Sequence, residues 1–194
     1  MTDKIALFPL KSILFPGCVL DLQIFEARYL DMVSRCFKRD EGFIVVPLES
    51  GPEAGSGNLR FNALGCEAKI IDWQQRDNGL LGIRVTGLRR TQVSDVRVAS
   101  DGLVEADAQW VEEAPDQPLD AAHADLLALR DSLMQHPMAA SLGLPPINDS
   151  QQRLGYQLAF LLPFSIEQKA ALLAAHDPAS RLEQIAEWLQ AMQS

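Results

Sequence analysis

Ser165 and Lys169 are the pair whose residue types and spacing come nearest to catalytic chemistry in this sequence. Four positions apart, they would share one face of a helix, and a serine hydroxyl beside a lysine amine can act as nucleophile and base. Ser165 also suits a helix N-cap, with Gln168 completing a capping box. Lys169 would then be an exposed residue of the first turns, with no oxyanion hole nearby. We therefore expect a helix cap here.

Three cysteines and three histidines are the other candidates for nucleophilic or metal chemistry: Cys18, Cys36, Cys66, His123, His136 and His176. The cysteines form no C-x-x-C pair, and the histidines lack the spacing of a zinc-binding helix. The sequence has no G-x-S-x-G elbow and no G-x-x-x-x-G-K-[ST] phosphate-binding loop. We expect reduced, mostly buried thiols, no metal, no cofactor and no enzymatic activity. An undetected hydrolase, which no local pattern supports, is the last of three functional hypotheses.

The composition is that of a soluble globular protein whose acidity is concentrated toward the C-terminus. The 194 residues are 47% hydrophobic and 22% charged, with a net charge of −9. Residues 113–194 hold four basic and ten acidic side chains. Such a field repels nucleic acid and anionic membranes. The apolar runs are too short to span a membrane, and no signal-peptide pattern is present, so we expect a cytoplasmic protein without a membrane partner.

The first 112 residues read mostly as β-structure. Apolar runs bounded by turn residues predict strands over residues 5–8, 19–24, 43–46, 68–73, 80–86, 90–98 and 103–111. Asn78-Gly79 predicts a hairpin turn in which both residues have positive φ. Residues 26–38 have helical spacing instead, with one apolar face formed by Tyr29, Met32, Val33, Cys36 and Phe37. The composition of residues 51–58 predicts a flexible loop.

A linker over residues 112–118 separates this part from a helical part. Pro118 suits the first position of a helix that carries leucines up to Leu133. Asp149 with Gln152 predicts a capping box for a second helix ending near Pro163. Ser165 opens a third helix, and Asp177-Pro178 opens the last. We expect about four helices packed as a bundle.

The opening segment is the most particular part of the sequence. It contains Phe8-Pro9-Leu10, then Leu14-Phe15-Pro16-Gly17, then Ile24-Phe25-Glu26-Ala27-Arg28-Tyr29. This segment resembles the start of the Lon N-terminal domain family, the substrate-recruiting module of the ATP-dependent Lon proteases. The segments 80–90, 155–163, 169–173 and 177–182 are similar to the family in the same order. Gln23 stands where the family commonly has histidine, and Ala27 where it commonly has proline.

The resemblance covers nearly the full chain and implies both a fold and a function. The implied fold is α+β: a PUA-like β-barrel with one inserted helix over residues 1–113, followed by an α-helical bundle over residues 117–194. The implied function is that of a non-catalytic binding module for unfolded or apolar segments of protein partners, linked to proteolysis or quality control. The candidate peptide-binding residues are Phe15, Pro16, Phe25, Glu26, Arg28 and Tyr29.

Structural roles compete with peptide binding for each of these residues. Glu26 and Arg28 would equally cap the helix and tie down the loop after the second strand. Phe8, Phe15 and Phe25 would equally form the barrel core, and we favour that interpretation, in which truncating Phe25 costs about 3–5 kcal/mol.

RNA binding is the alternative function, because PUA-like barrels include RNA-binding domains. Four cations crowd the predicted helix of the first half: Arg28, Arg35, Lys38 and Arg39. Neighbouring acids balance them, and few aromatic residues are expected to be exposed for stacking on bases. We therefore favour a solvated helix face and expect no nucleic-acid partner.

Overall fold

The computed structural model describes residues 4–50 and 60–194, so the predicted loop at 51–58 lies outside the described residues. The chain divides into two compact units, residues 1–111 (unit 1) and residues 112–194 (unit 2). Unit 1 contains every strand of the described chain, and unit 2 is helical. The change from strand-like to helical spacing across the linker therefore predicts the class of each unit correctly.

Unit 1 is one mixed sheet with a single helix between its second and third strands. Its elements are β1 (Ile5–Leu10), β2 (Val19–Ile24), α1 (Ala27–Arg39), β3 (Phe43–Ser50), β4 (Arg60–Phe61), β5 (Leu64–Gln75), β6 (Leu81–Val98) and β7 (Val104–Trp110). The order of paired strands is β1-β7-β6-β5-β3-β4, with β2 added on β6. β1 also pairs in parallel with β3, so the path of paired strands returns to its start.

β6 is one strand of 18 residues, where the sequence predicts two strands separated near Gly87. A Cβ at position 87 would lie 2.2 Å from the carbonyl oxygen of Phe15. The Gly87 N–H donates to the Cys18 carbonyl at 2.9 Å, and the Gly17 N–H donates to the Gly87 carbonyl at 2.9 Å. Glycine is therefore needed for a close approach of two backbones, and it does not end the strand.

The hairpin between β5 and β6 lies where Asn78-Gly79 predicts it, but the turn type is different. Only Gly79 of the two has positive φ, at 79°. The Gly79 N–H donates to the Arg76 carbonyl at 2.9 Å, and the Arg76 N–H donates to the Leu80 carbonyl at 2.8 Å. The loop is thus a turn followed by one left-handed glycine, and Asn78 contributes its side-chain oxygen to the Leu80 N–H at 3.1 Å.

The core of unit 1 lies on both faces of β1 and β3, because successive side chains of a strand point to opposite sides. One cluster packs α1 against the sheet and includes Phe8, Tyr29, Met32 and Phe43. The Phe8 ring stands 4.4 Å from the Tyr29 ring and 5.8 Å from the Phe43 ring, measured between centroids. A second cluster covers the other face and consists of Leu7, Ile44, Val46, Val93, Val104 and Ala106.

Unit 2 contains a short 3-10 turn, Ala121–His123, and the helices α2 (Ala124–Leu133), α3 (Pro137–Ser141), α4 (Gln151–Leu161), α5 (Ile166–Ala174) and α6 (Pro178–Gln193). α4 packs against α2, α5 and α6. Five α-helices replace the predicted four, because the sequence analysis overlooks the one-turn helix α3. The starts of α5 at Ser165 and of α6 at Asp177 are confirmed.

Two predicted helix starts are wrong by one to three residues. Pro118 is not helical, because Asp120 caps the 3-10 turn by accepting from the Ala122 N–H. Ser150 rather than Asp149 caps α4. Asp149 instead has positive φ and accepts a hydrogen bond from the Leu119 N–H at 2.9 Å. Adjacent polar residues are all suited to capping, so their types alone do not select the cap.

Buried polar side chains join the helices of unit 2 to one another. The fully buried Arg181 donates from Nε to the Leu172 carbonyl and from Nη2 to the Ala175 carbonyl, each at 2.8 Å. Its guanidinium carbon lies 4.1 Å from the centroid of the Tyr156 ring. The Tyr156 hydroxyl donates to the Glu113 carboxylate at 2.9–3.0 Å. α4, α5, α6 and the start of unit 2 are therefore held by one connected polar group.

Candidate functional site

Helix α1 carries apolar side chains on more of its circumference than burial against the sheet requires. Tyr29, Met32, Val33 and Cys36 are buried beneath it. Leu30 and Phe37 lie outside this stripe and are 39% and 49% exposed. The helical spacing of residues 26–38 predicts Phe37 on the buried face, which is wrong. Leu30 and Phe37 are seven positions apart, two helical turns, so they form a second apolar stripe along the solvent side of the helix.

A cavity of about 370 Å³ follows this outer stripe, and we call it the α1 groove. It is lined by Leu30, Val33, Ser34, Phe37, Trp73 and Leu81. Trp73 lies near the end of β5 and is 59% exposed. Its ring packs edge-on against the Phe37 ring, with 6.4 Å between centroids. The α1 groove is therefore an open apolar surface built by one helix and one hairpin of unit 1.

A second cavity, of about 270 Å³, lies beside β2 and the start of α1, and we call it the β2 cavity. Its lining residues are Phe8, Leu10, Asp21, Leu22, Gln23, Ile24, Phe25, Glu26 and Tyr29. Phe25 is 59% exposed, so the expectation that it belongs to the core is wrong. Ile24 lines the β2 cavity and Leu81 lines the α1 groove, and these two residues pair across β2 and β6. The two cavities are therefore neighbours.

Three candidate peptide-binding residues, Phe25, Glu26 and Tyr29, line the β2 cavity together. Tyr29 is almost fully buried, and burial raises the pKa of its hydroxyl, which therefore stays protonated at neutral pH. Phe15 is completely buried, whereas Pro16 is half-buried and forms a turn with Gly17, whose φ is 77°. The Cys18 N–H closes this turn on the Phe15 carbonyl at 3.0 Å.

Glu26 and Arg28 hold the chain that leads from β2 into α1. Arg28 Nε donates to a Glu26 carboxylate oxygen at 3.0 Å, and Arg28 Nη1 donates to the Gly102 carbonyl at 2.8 Å. Glu26 occupies the N-cap position, yet its side chain makes no capping hydrogen bond. The predicted tie of the loop is confirmed, and the predicted side-chain cap is wrong. Arg28 therefore joins Glu26, which lines the β2 cavity, to the loop between β6 and β7.

Two of the four cations of α1, Arg28 and Arg35, are paired with acidic side chains, while Lys38 and Arg39 are exposed. Arg35 forms ion pairs with Glu41 at 3.2 Å and with Glu105 at 3.7 Å, in addition to the pairing of Arg28 with Glu26. More aromatic residues are exposed than the sequence analysis expects, since Phe25, Phe37 and Trp73 are each about half exposed. These rings stand among apolar neighbours, so the surface they form is apolar rather than basic.

A polar cavity of about 280 Å³ lies on the outer side of β2, β5 and β6. Asp21 and Arg84 face each other across β2 and β6 and form a two-pronged ion pair, with N–O distances of 2.7 and 2.9 Å. The hydrogen bonds from Arg84 lower the pKa of the Asp21 carboxyl, and the same contact raises the pKa of Arg84. This pair stabilises the pairing of the two strands and holds both groups charged.

The residues with catalytic potential have structural roles. Ser165 Oγ accepts from the Gln168 N–H at 3.1 Å, and the Gln168 side chain accepts from the Ser165 N–H at 3.0 Å, which confirms the capping box. Lys169 is half-buried rather than exposed, and its ammonium group donates to the Phe160 carbonyl at 2.8 Å. All three cysteines are buried and none forms a disulfide, and burial raises the pKa of the Cys36 thiol to about 11.

Within residues 4–50 and 60–194, no three His, Cys, Asp or Glu side chains are grouped so that they could hold a metal ion. No helix of those residues combines the length and the apolarity that crossing a bilayer requires.

Comparisons with known proteins place this geometry in a family. The family model described as the ATP-dependent protease La (LON) substrate-binding domain matches residues 4–191. The crystal structure of a Lon N-terminal domain protein from Xanthomonas campestris is 33% identical, with a TM-score of 0.76, over 96% of this chain and 98% of that chain. The N-terminal domain of the Lon protease of the Mycobacterium avium complex has the same fold at 16% identity, with a TM-score of 0.65, over 96% of this chain and 97% of that chain. Among curated proteins, none matches significantly. The family model and the Xanthomonas structure each span nearly the whole chain, and the chain therefore belongs to the Lon substrate-binding domain family, a non-catalytic domain that recognises protein substrates.

Proposed function

We propose that this chain binds exposed apolar segments of unfolded or partly folded proteins and serves proteolysis or quality control in the cytoplasm. The observation that carries the proposal is the pair of apolar cavities at either side of α1, with Phe25, Phe37 and Trp73 each about half exposed. Large exposed apolar surfaces on a folded protein mark interaction sites, because leaving them in water is unfavourable. An unfolded protein offers the apolar side chains that would cover this surface.

The binding surface we propose consists of the α1 groove and the β2 cavity. Of the residues first considered, Phe25, Glu26 and Tyr29 line it directly. Phe15, Pro16 and Arg28 line neither cavity: Phe15 is in the core, Pro16 forms a turn, and Arg28 holds the loop at Gly102. Trp110 is also partly exposed, but the Arg89 guanidinium covers its ring at 3.4 Å, so we leave it outside the surface.

We also infer that unit 1 is a PUA-like β-barrel with one inserted helix. The support is the cyclic pairing in which β1 contacts both β7 and β3, together with α1 standing between β2 and β3 in the chain. A closed set of strands has few free edges and gives a rigid base for a recognition surface.

The test of the function is a titration of the full chain into fluorescein-labelled casein that has been reduced and carboxymethylated. Fluorescence anisotropy should give a dissociation constant on the order of micromolar, because a shallow surface must offset the ordering of a flexible segment. Phe37→Ser and Trp73→Ser should each weaken binding about tenfold, since aromatic residues carry much of the energy of such surfaces. Val98→Ser is the matched control, because Val98 is 69% exposed and lies in neither cavity.

Salt dependence separates apolar from electrostatic binding. Affinity for the casein should change little between low and moderate salt, whereas binding to a labelled single-stranded RNA would fall steeply through counterion release. Tight, salt-sensitive binding of the RNA without binding of the casein would overturn the proposal. Casein binding that Val98→Ser weakens as much as Phe37→Ser and Trp73→Ser do would show that the surface is misplaced.

A further inference from the structure

β2 is a regular strand that has a partner on one side only within the described residues. It pairs with β6 over six consecutive positions, from Val19 opposite Thr86 to Ile24 opposite Leu81, without a register shift. No other strand of residues 4–50 and 60–194 pairs with it. Leu20, Leu22 and Ile24 face the core, while Asp21 and Gln23 are exposed. The strand therefore has a free edge beside an ordered apolar core.

The hydrogen bonding identifies which main-chain groups occupy that edge. The Gly87 N–H donates to the Cys18 carbonyl, so that carbonyl points toward β6. The direction of main-chain groups alternates along an extended strand, so those of Leu20, Leu22 and Ile24 also point toward β6. Those of Asp21 and Gln23 then point away from β6. No backbone hydrogen bond from the described part of the chain reaches these two residues.

Two other incompletely paired stretches of the sheet are poorly suited to adding a strand. β4 has only two residues. The distal part of β5 pairs with β6 alone, but its register shifts between Ile70 and Asp72. Such a bulge bends a strand and interrupts its ladder, which is one way that proteins protect free edges. β2 has neither a bulge nor a proline over its six paired positions, so its edge is open to pairing.

The β2 cavity lies along this same edge. Residues 21–26 line it, and Phe8, Leu10 and Tyr29 form its apolar remainder. About 270 Å³ is less than a drug-sized pocket and suits one or two side chains. The charged residues of the lining are both carboxylates, Asp21 and Glu26, and each is paired with an arginine, Arg84 and Arg28. No basic side chain of the described residues lines the cavity, so it offers no cation to an acidic segment.

We propose that an extended, apolar and non-acidic segment of the client protein adds to the edge of β2 as a further strand. Its main chain would exchange hydrogen bonds with Asp21 and Gln23, and alternate side chains would enter the β2 cavity. This inference rests on the proposed function, since it states how the bound segment docks. Main-chain pairing is independent of sequence, which suits a module that must accept many unfolded proteins.

The first test uses the fluorescein-labelled peptide KTVTLTVTK and two variants of one residue. Gln23→Pro removes the outward N–H, and proline is tolerated where an edge N–H faces solvent. Gln23→Ala removes the same side chain but keeps the N–H, so the difference between the two variants isolates the main-chain donor. We expect Gln23→Pro to bind at least about tenfold more weakly than Gln23→Ala, with unchanged circular dichroism. Equal binding by the two variants would overturn the proposal.

The second test leaves the protein unchanged, so it also decides the matter if Gln23→Pro does not fold. Two forms of the peptide carry N-methyl groups, one on its Val and Leu residues and the other on its Thr residues. A strand presents alternate N–H groups to opposite edges, so only one of the two forms should lose binding. Equal affinities of the two forms would overturn the proposal. The peptide ETVTLTVTE should bind several-fold more weakly than KTVTLTVTK, and tighter binding would contradict the assigned charge.

The remaining outcomes are equally decisive. Wild-type protein that binds neither carboxymethylated casein nor KTVTLTVTK would refute the proposed function itself. Binding of casein without binding of the peptide would refute only the strand addition. A wild-type dimer in analytical ultracentrifugation that Gln23→Pro dissociates, without any binding of the peptide, would assign the edge to a second copy of the chain instead.

Discussion

The two units differ most in what they leave exposed. Among the described residues, unit 1 exposes the large apolar side chains Phe25, Leu30, Phe37, Ile71, Trp73, Leu88, Val96, Val98 and Trp110. Unit 2 exposes only Met138 and Met192 in that class. A folded domain gains nothing in stability from exposed aromatic rings, so their concentration in unit 1 is the reason for proposing the recognition surface there. The difference teaches that the β-rich unit carries the candidate surface.

The two units also differ in how they are held together. In unit 1, main-chain ladders connect the strands, and the cores above and below β1 and β3 are apolar. In unit 2, charged and amide side chains reach the main chain of neighbouring segments. Arg181 bonds the end of α5, while Gln157 and Arg130 both donate to the Pro145 carbonyl. Unit 2 therefore depends on a few individual side chains, and unit 1 does so much less.

The largest effect expected from this contrast is that of Arg181→Ala. It removes two charge-assisted hydrogen bonds and the stacking on Tyr156, which should lower the free energy of unfolding of unit 2 by about 4 kcal/mol. Urea unfolding followed by circular dichroism measures the loss, and hydrogen exchange should locate it in α5 and α6. Arg181→Lys is the control: it keeps the charge but not the planar fork, and should recover less than half. Exchange accelerating equally in both units would contradict the contrast.

Within unit 1, Phe15 and Phe25 should behave oppositely although they lie ten residues apart. Phe15 is fully buried, so Phe15→Ala should destabilise the protein by about 3–5 kcal/mol. Phe25 is 59% exposed, so Phe25→Ala should change stability by no more than about 1 kcal/mol and should weaken binding of carboxymethylated casein instead. Thermal melts and the anisotropy titration together decide this. A large loss of stability in Phe25→Ala would show that Phe25 contributes to the core after all.

The smallest effect is that of the Asp21–Arg84 pair on the surface of unit 1. The folded-state pKa of Asp21 is lowered from its ordinary value of 3.8, so the pair stabilises the fold above that pH. The contribution is lost as the pH falls through the lowered pKa. Asp21 is about half exposed, so the free energy involved should be below about 1 kcal/mol. The free energies of unfolding of wild type and Asp21→Asn, measured with urea from pH 7 downward, should differ by an amount that shrinks below pH 3.8. A difference that grows there would contradict this.

Much of the fold can be read from the sequence because its signals are local. The capping box at Ser165 and the Asp177-Pro178 start are set by hydrogen bonds within one turn of helix. The continuity of β6 cannot be read in this way. Gly87 resembles a strand end, and only the approach of the Phe15 carbonyl, from a distant part of the chain, explains why it is needed.

The candidate site is harder to predict, because an aromatic residue has the same periodicity whether it packs inward or binds a partner. The opening motif leads to Phe25, Glu26 and Tyr29, which line one cavity. The motif does not indicate Trp73, which contacts Phe37 only because the fold brings β5 close to α1. The available signal was Leu30, an apolar residue of α1 that does not fit the stripe of Tyr29, Met32, Val33 and Cys36.

The three cysteines, which form no disulfide, give unit 1 a property that unit 2 lacks. Cys18, Cys36 and Cys66 are all buried in unit 1, and unit 2 contains no cysteine. A buried, protonated thiol is inert toward alkylating reagents until the structure around it opens. The rate of thiol labelling therefore reports the rate at which unit 1 opens, and unit 2 does not contribute to it. The opening of unit 1 can thus be followed by itself in the intact protein, without a mutation.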